Sequence, residues 1–214
     1  MATIEQAPPP SPPAPPGPPE PPAHPPTSTG TTNTKLAIWL FLASDCLFFG
    51  AFISAYLLYR SRHQSGPTPK DVYSIPFTSV SSFVLLMSSL TMVLALAAIQ
   101  RGDLRRLRIW LLATALLGSV FIGGQIFEFT EFARKGLSLD TNLFSSTFFV
   151  LTGFHGAHVT IGIIWLISLW GLATQGRLGQ GDAEKVEVAG LYWHFVDVVW
   201  IVIFTVVYLI PPAK

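Results

Sequence analysis

The stretch that decides the fold lies near the C-terminus, where residues 192–208 read YWHFVDVVWIVIFTVVY. Apart from His194 and Asp197 near its start, this stretch is apolar enough to cross a bilayer. In a helix these two residues are three apart and lie on one face. An ionised aspartate at the centre of a membrane helix costs about 2.5–3.5 kcal/mol on insertion scales. We therefore expect this face to pack against other helices supplied by the rest of the chain.

The composition also indicates a membrane protein. Half of the 214 residues are hydrophobic and 12% are charged, whereas soluble domains usually carry about 25% charged residues. The net charge of +1 argues against binding to nucleic acid. A single cysteine, Cys46, allows neither a disulfide within the chain nor a cysteine-based metal cluster. Because Cys46 lies in an apolar run, we expect it to be buried.

The N-terminal region differs from the remainder of the chain. Residues 1–34 contain 13 of the 18 prolines and lack the apolar core of a signal peptide. Such a tract cannot bury enough apolar surface to fold. It predicts a disordered, Pro-rich tail over residues 1–34, followed by a single membrane domain over residues 35–214.

Five apolar segments follow the tail, at about residues 35–60, 75–100, 108–132, 143–172 and 188–210. Each exceeds the roughly 20 residues that cross the hydrocarbon core. The fold class is therefore an all-α membrane protein with five transmembrane helices. The short loop that contains Arg101, Arg105, Arg106 and Arg108 favours the cytoplasmic side for the N-terminus and the outside for the C-terminus. We find no inverted pair of broken helices, which disfavours a typical secondary transporter.

Ionisable side chains inside these segments are the candidate functional residues. They are the carboxylates Asp45, Glu128, Glu187 and Asp197 and the histidines His155, His158 and His194. Three interpretations are open: a metal site of three histidines and a carboxylate, a proton relay through the carboxylates, and paired structural groups that fix the order of the helices. We favour structural groups, because a lone His-x-x-His in a glycine-rich helix is a weak metal signal. Asp45 is kept as a candidate for proton transfer.

Five motifs, in order along the chain, resemble subunit III of bacterial haem-copper terminal oxidases, the cytochrome c and quinol oxidases. They are WLFLASDCLFF at 39–49, GDLRR at 102–106, QIFEF at 125–129, SSTFFVLTGFHGAHV at 145–159 and YWHFVDVVW at 192–200. The similarity covers about residues 35–210. One position departs from the family pattern, because the usual glutamate of the first helix is Asp45 here. Some quinol-oxidising members are similar at this place.

The resemblance implies a fold and a set of partners. The helices would form a V-shaped bundle, two against three, with phospholipid in the cleft. Because arginines near helix ends can pair with lipid phosphates, Arg60 and Arg177 are candidate lipid contacts. No haem or copper would be bound by this chain, because those belong to subunits I and II. The partners would be these subunits, a small subunit IV and membrane phospholipid, in the bacterial inner membrane.

The resemblance also implies a function. The complex would reduce dioxygen to water and pump protons, and this chain would support assembly and proton uptake into subunit I. Three alternatives stay open on the residues alone. These are a stand-alone membrane transporter or channel, a metal-dependent membrane hydroxylase and an accessory subunit of a nitric oxide reductase.

Overall fold

The computed structural model describes residues 30–60, 75–139 and 143–210, and most of these residues lie in helices. The helices are α1 (Asn33–Tyr59), α2 (Ile75–Gln100), α3 (Leu104–Arg134), α4 (Leu143–Thr174) and α5 (Ala183–Phe204); a 3-10 turn (Gln180–Asp182) precedes α5 and a π-helical turn (Thr205–Leu209) continues it. No strand occurs within the described ranges. The prediction of an all-α fold with five membrane-length helices is confirmed. The predicted disordered tail lies, as far as residue 29, outside the described residues.

Two helices begin earlier than the apolar segments that predicted them. Helix α3 begins at Leu104 instead of about residue 108, and α5 begins at Ala183 instead of about residue 188. The Asp103 carboxylate accepts a hydrogen bond from the Arg106 amide at 3.0 Å and so satisfies a free N–H of the first turn of α3. An apolar run marks only the hydrocarbon region, whereas a capped helix can continue into the headgroup region.

A three-residue turn at 101–103 joins α2 to α3 and makes them antiparallel neighbours. Gly102 has φ +74°, a conformation that only glycine adopts at low cost. The Asp103 amide donates to the Ala98 carbonyl and the Gly102 amide donates to the Ile99 carbonyl, both at 2.9 Å. These two hydrogen bonds form a Schellman motif at the end of α2, so the backbone of the turn is compact and fixed.

Helix α5 lies at the centre of the bundle, because it packs directly on α1, α2 and α4 and reaches α3 through two tryptophan side chains. Half of its central stretch is buried, against 17% for α1. The expectation that this helix packs on the others is therefore confirmed. The remaining contacts run α2 on α3, α3 on α4 and α4 on α1.

The helix pairing differs from the expected division of the first two helices against the last three. Helix α1 packs against α4 and α5, whereas α2 packs against α3 and α5. Helices α1 and α2 therefore do not form an arm of their own. The tight turn at 101–103 holds α2 against α3, and polar partners on α4 and α5 hold α1.

Cys46 is exposed on α1, although its apolar surroundings predicted a buried position. The face that α1 buries carries Leu42, Asp45 and Phe49. Cys46 follows Asp45 by one residue, which rotates it by about 100° away from that face. An apolar sequence around a residue does not distinguish the protein interior from the lipid surface.

Candidate functional site

The four carboxylates do not converge on one centre, and each lies at a different contact between helices. Asp45 joins α1 to α4, Glu128 joins α3 to α2, Asp197 joins α5 to α2, and Glu187 joins α5 to α1. A buried polar contact between two membrane helices holds them in register, because both groups would otherwise face hydrocarbon. This arrangement agrees with paired structural groups better than with one continuous relay.

Asp197 and His194 share one partner on α2, the hydroxyl of Ser89. The Ser89 hydroxyl donates to the Asp197 carboxylate, and its oxygen lies 2.9 Å from Nδ1 of His194. A serine hydroxyl carries only one proton, so the Nδ1–H of His194 must be the donor to Ser89. The prediction that His194 and Asp197 lie on one face is confirmed, and the hydrogen bonds run from His194 to Ser89 to Asp197.

Two indole groups extend this polar contact along α5. The Trp193 Nε1–H donates to Ser88 Oγ at 2.9 Å, and the Trp200 Nε1–H donates to Ser82 Oγ at 2.8 Å. Sequence reasoning missed these bonds, because it considered only the ionisable side chains as candidates. A signal was available, since Trp193 and Trp200 are seven residues apart, which is two helical turns and places both indoles on one side of α5.

The Trp193 ring fits a slot formed by two glycines, one on α3 and one on α4. A Cβ atom at Gly118 would lie 2.6 Å from the ring, and one at Gly162 would lie 2.9 Å from it. Both distances are shorter than real carbon contacts, so any larger side chain would displace the ring. Trp193 is 1% exposed, and its ring fixes the position of α5 against α3 and α4.

Asp45 has a different kind of partner, an imidazole. Nε2 of His158 lies 3.4 Å from Oδ2 of Asp45, and Nδ1 of His158 lies 2.8 Å from the Phe154 carbonyl. A carbonyl only accepts, so Nδ1 must carry a proton. The contact between Nε2 and Oδ2 is then favourable only when one further proton lies between them, on the ring or on the acid. The distance exceeds that of a well-aligned hydrogen bond, and Oδ2 has no such bond within the described part of the chain.

His155 is fully buried in an aromatic environment. Its ring stacks on Trp200, with centroids 4.9 Å apart, and meets Phe121 edge-on at 6.0 Å. Neither ring nitrogen has a hydrogen-bond partner among the residues that the structure describes. His155 therefore contributes shape and ring contacts to the centre of the bundle.

The three predicted histidines are not brought together. His194 contacts α2, His158 contacts α1, and the His155 ring lies against Trp200 and Phe121. Over residues 30–60, 75–139 and 143–210, no three His, Cys, Asp or Glu side chains are close enough to hold a metal ion. The geometry gives no support to the metal-site interpretation of these residues.

The remaining predicted residues lie towards the ends of the helices. Glu128 is buried and accepts a hydrogen bond from Thr78. Glu187 was predicted among the buried carboxylates, but it is half-buried and pairs with Lys35 at 2.8 Å, because it lies in the first turn and a half of α5. Arg60 is half-buried just after α1, and Arg177 is exposed just after α4.

Comparison with known proteins identifies the family to which the chain belongs. Residues 24–211 match the family described as cytochrome c oxidase subunit III. The chain is 38% identical to the cytochrome c oxidase subunit 3 of Bacillus sp. (strain PS3), over 83% of this chain and 86% of the relative. It is 39% identical to the quinol oxidase subunit 3 of Bacillus spizizenii, over 86% and 89%. It is 37% identical to the cytochrome bo(3) ubiquinol oxidase subunit 3 of Pseudomonas aeruginosa, over 83% and 85%.

Proposed function

Because this chain belongs to the cytochrome c oxidase subunit III family of haem-copper terminal oxidases, we propose that it is the non-redox subunit of such a complex, bound to subunits I and II and a small subunit IV. The complex reduces dioxygen in aerobic respiration. The family relationship supports subunit III and none of the three alternatives, the transporter, the hydroxylase and the nitric oxide reductase subunit. Co-purification with haem-containing partners in a mild detergent tests this assignment, and a haem-free homo-oligomer would contradict it.

The redox groups belong to the partner subunits in this proposal. The separation of the histidines supports it, since His194 is engaged by Ser89 and Nδ1 of His158 by a carbonyl. Elemental analysis of the chain separated from its partners should find neither copper nor iron. Relatives from cytochrome c oxidases and from quinol oxidases match this chain with similar identity. We therefore assign the choice of electron donor to the partner subunits.

The chain would cross the bacterial inner membrane five times, with its N-terminus in the cytoplasm and its C-terminus outside. The arginines of the α2–α3 hairpin, Arg101, Arg105, Arg106 and Arg108, support this orientation through the positive-inside rule. Labelling of a cysteine introduced beside Arg105 by an impermeant maleimide should occur only after the cytoplasmic side is opened. Labelling in intact cells would reverse the orientation.

The Asp45–His158 contact carries the proposed role in proton uptake. Of the buried carboxylate contacts, this one places the acid directly against an imidazole, with Nε2 of His158 3.4 Å from Oδ2 of Asp45. Glu128 and Asp197 accept from hydroxyl groups instead. A contact that exchanges a proton without changing its net charge is suited to a low-dielectric site, so Asp45 and His158 would support delivery of protons towards subunit I.

Asp45→Asn tests the proton role, because asparagine keeps the size of the side chain and cannot titrate. The variant complex should assemble with normal haem content, yet pump fewer protons per electron or inactivate faster during turnover. Asp197→Asn is the matched control, since it makes the same change at a carboxylate that contacts a hydroxyl. Equal pumping and equal lifetime in Asp45→Asn and the parent complex would rule out the role.

A further inference from the structure

The α2–α3 hairpin forms a pocket at the basic end of the bundle. The pocket has a volume of about 430 Å³, and Arg101, Asp103 and Arg106 line its polar end. Asp103 is already engaged, because its carboxylate accepts from the Arg106 amide at 3.0 Å and lies 3.2 Å from Arg106 Nε. Two arginines against one aspartate leave the polar end with a net positive charge. We call this cavity the hairpin pocket.

The walls of the hairpin pocket become apolar away from the arginines. Leu94 and Ala97 line it from α2, and Ile109 and Trp110 line it from α3. Leu94 precedes Arg101 by seven residues, which is about 10 Å along the helix. The two helices are antiparallel, so both walls run from the headgroup end towards the hydrocarbon. Trp110 is the residue type that favours the boundary between these regions.

The backbone of the turn beside the pocket is fixed by hydrogen bonds. The Gln180 side chain, from the turn before α5, donates to the Gln100 carbonyl at 2.8 Å. The 101–103 turn is closed by its own backbone bonds to Ala98 and Ile99. The arginines therefore start from a fixed backbone, and a ligand would not have to order the loop that binds it.

We propose that the hairpin pocket binds one phospholipid, with its phosphate at Arg101 and Arg106 and an acyl chain between Leu94, Ala97 and Ile109. This site is distinct from Arg60 and Arg177, the lipid contacts expected from the sequence, and the inference rests on the proposed function as a membrane subunit of an oxidase. Guanidinium groups pair with phosphate oxygens through several donors at once. The apolar wall, about 10 Å long, favours a lipid over inorganic phosphate, which would use only the polar end.

An acidic segment of a partner subunit is the competing occupant. The cavity argues for lipid, because its apolar part lies within the membrane-spanning length of both helices. A polar protein segment would have to place its backbone N–H and C=O groups against Leu94 and Ile109, which costs free energy at membrane depth. An acyl chain has no such groups.

The experiment is native mass spectrometry of the whole detergent-purified complex, delipidated and then titrated with dioleoyl-phosphatidylglycerol in mixed detergent micelles. Each arginine near an anionic lipid surface is worth about fivefold in affinity, so Arg101→Gln or Arg106→Gln should weaken one phosphatidylglycerol site about fivefold and the double variant about 25-fold. Arg105→Gln is the matched control, because it removes a charge from the same hairpin outside the pocket lining. Ala97→Phe should displace the acyl chain and remove the site without a change of charge.

The outcomes separate the possible occupants. Loss of phosphatidylglycerol in the arginine variants and in Ala97→Phe, with Arg105→Gln unchanged, supports the proposal. Competition by millimolar inorganic phosphate with no effect of Ala97→Phe would show a phosphate site and overturn it. Loss of partner subunits with unchanged lipid would show a protein contact and overturn it. Haem content of the parent complex is recorded separately, so a failure of the oxidase assignment is distinguished from a failure of the lipid site.

Discussion

Helices α5 and α1 each carry a buried aspartate, but they hold it in different surroundings. Half of the central stretch of α5 is buried, against 17% of that of α1. Asp197 on α5 accepts from Ser89, within a row of contacts to α2 that includes Trp193 and Trp200. Asp45 on α1 lies 3.4 Å from a single imidazole. The role of a carboxylate in a membrane helix therefore depends on the chemistry of the group that it contacts.

The difference has a physical consequence for movement. Removing α5 would empty the slot formed by Gly118 and Gly162 and leave serines of α2 without their partners. Helix α1 contributes five buried residues to the bundle, and its polar contact is longer than an ideal hydrogen bond. We infer that α5 sets the architecture, whereas the α1–α4 contact contributes less to the packing of the bundle.

The largest expected effect comes from filling the Trp193 slot. Gly118→Ala would place a methyl group 2.6 Å from the ring and should lower the stability of the complex by about 1–3 kcal/mol through overpacking. Gly123→Ala on the same helix is the control, because nothing lies within 4 Å of its added Cβ and the gain in helix propensity is the same. The midpoint of thermal unfolding reports the difference. Equal midpoints would mean that Trp193 is not confined as described.

The next effect compares the two aspartates directly. Asp197→Ala leaves the half-buried Ser89 hydroxyl without its acceptor and should cost about 1–2 kcal/mol, within the range for a hydrogen-bonding group that loses its partner. Asp45→Ala should cost less than about 1 kcal/mol, because it removes one long contact at a less buried helix. Unfolding of both variant complexes under identical detergent conditions tests the order. A reversed order would remove the distinction between the two helices.

A smaller effect isolates one indole contact of α5. Trp200→Phe removes the donor to Ser82 and keeps a ring against His155, so the loss should be near the average of about 0.6 kcal/mol for hydrogen bonds between membrane helices. A double-mutant cycle with Ser82→Ala separates this bond from changes in ring packing. Additive single effects would show that the bond does not contribute.

The smallest effect concerns the ion pair that joins the two compared helices at the membrane boundary. Lys35 and Glu187 are 2.8 Å apart, but their side chains are 30% and 35% exposed. Salt screens exposed pairs, so Glu187→Gln should shift the unfolding midpoint slightly at low ionic strength and not at about 1 M salt. A large shift that persists in high salt would place Glu187 among the buried structural groups after all.

Much of the local structure was predictable from residues near one another in the chain. The presence of five helices follows from apolar runs that are long enough to cross the hydrocarbon core as helices. Gly102 and Asp103 were an unused signal for the end of α2 and the start of α3, since glycine favours a helix ending and aspartate an N-cap. The ends of the helices were less predictable, because α3 and α5 begin several residues before the apolar segments that indicate the hydrocarbon region.

The partners of the candidate residues were not predictable in the same way. The shared face of His194 and Asp197 follows from their spacing, but Ser89 as their common partner follows from the register between α2 and α5. Likewise, Asp45 required a polar contact, and only the crossing of α1 with α4 selected His158. The exposure of Cys46 shows the same limit, since lipid and protein interior are equally apolar.

The sequence by itself determined that five helices cross a membrane, that their buried carboxylates need polar partners, and that the motifs resemble one oxidase subunit. These properties depend on segment length, on the cost of charge in hydrocarbon and on short-range spacing. The tertiary structure alone decided which helices touch and which side chains meet. Pairing depends on the register between helices that are far apart in the chain, because a shift of one helix by one turn would give each side chain a different partner. For Asp45 that register selects a histidine.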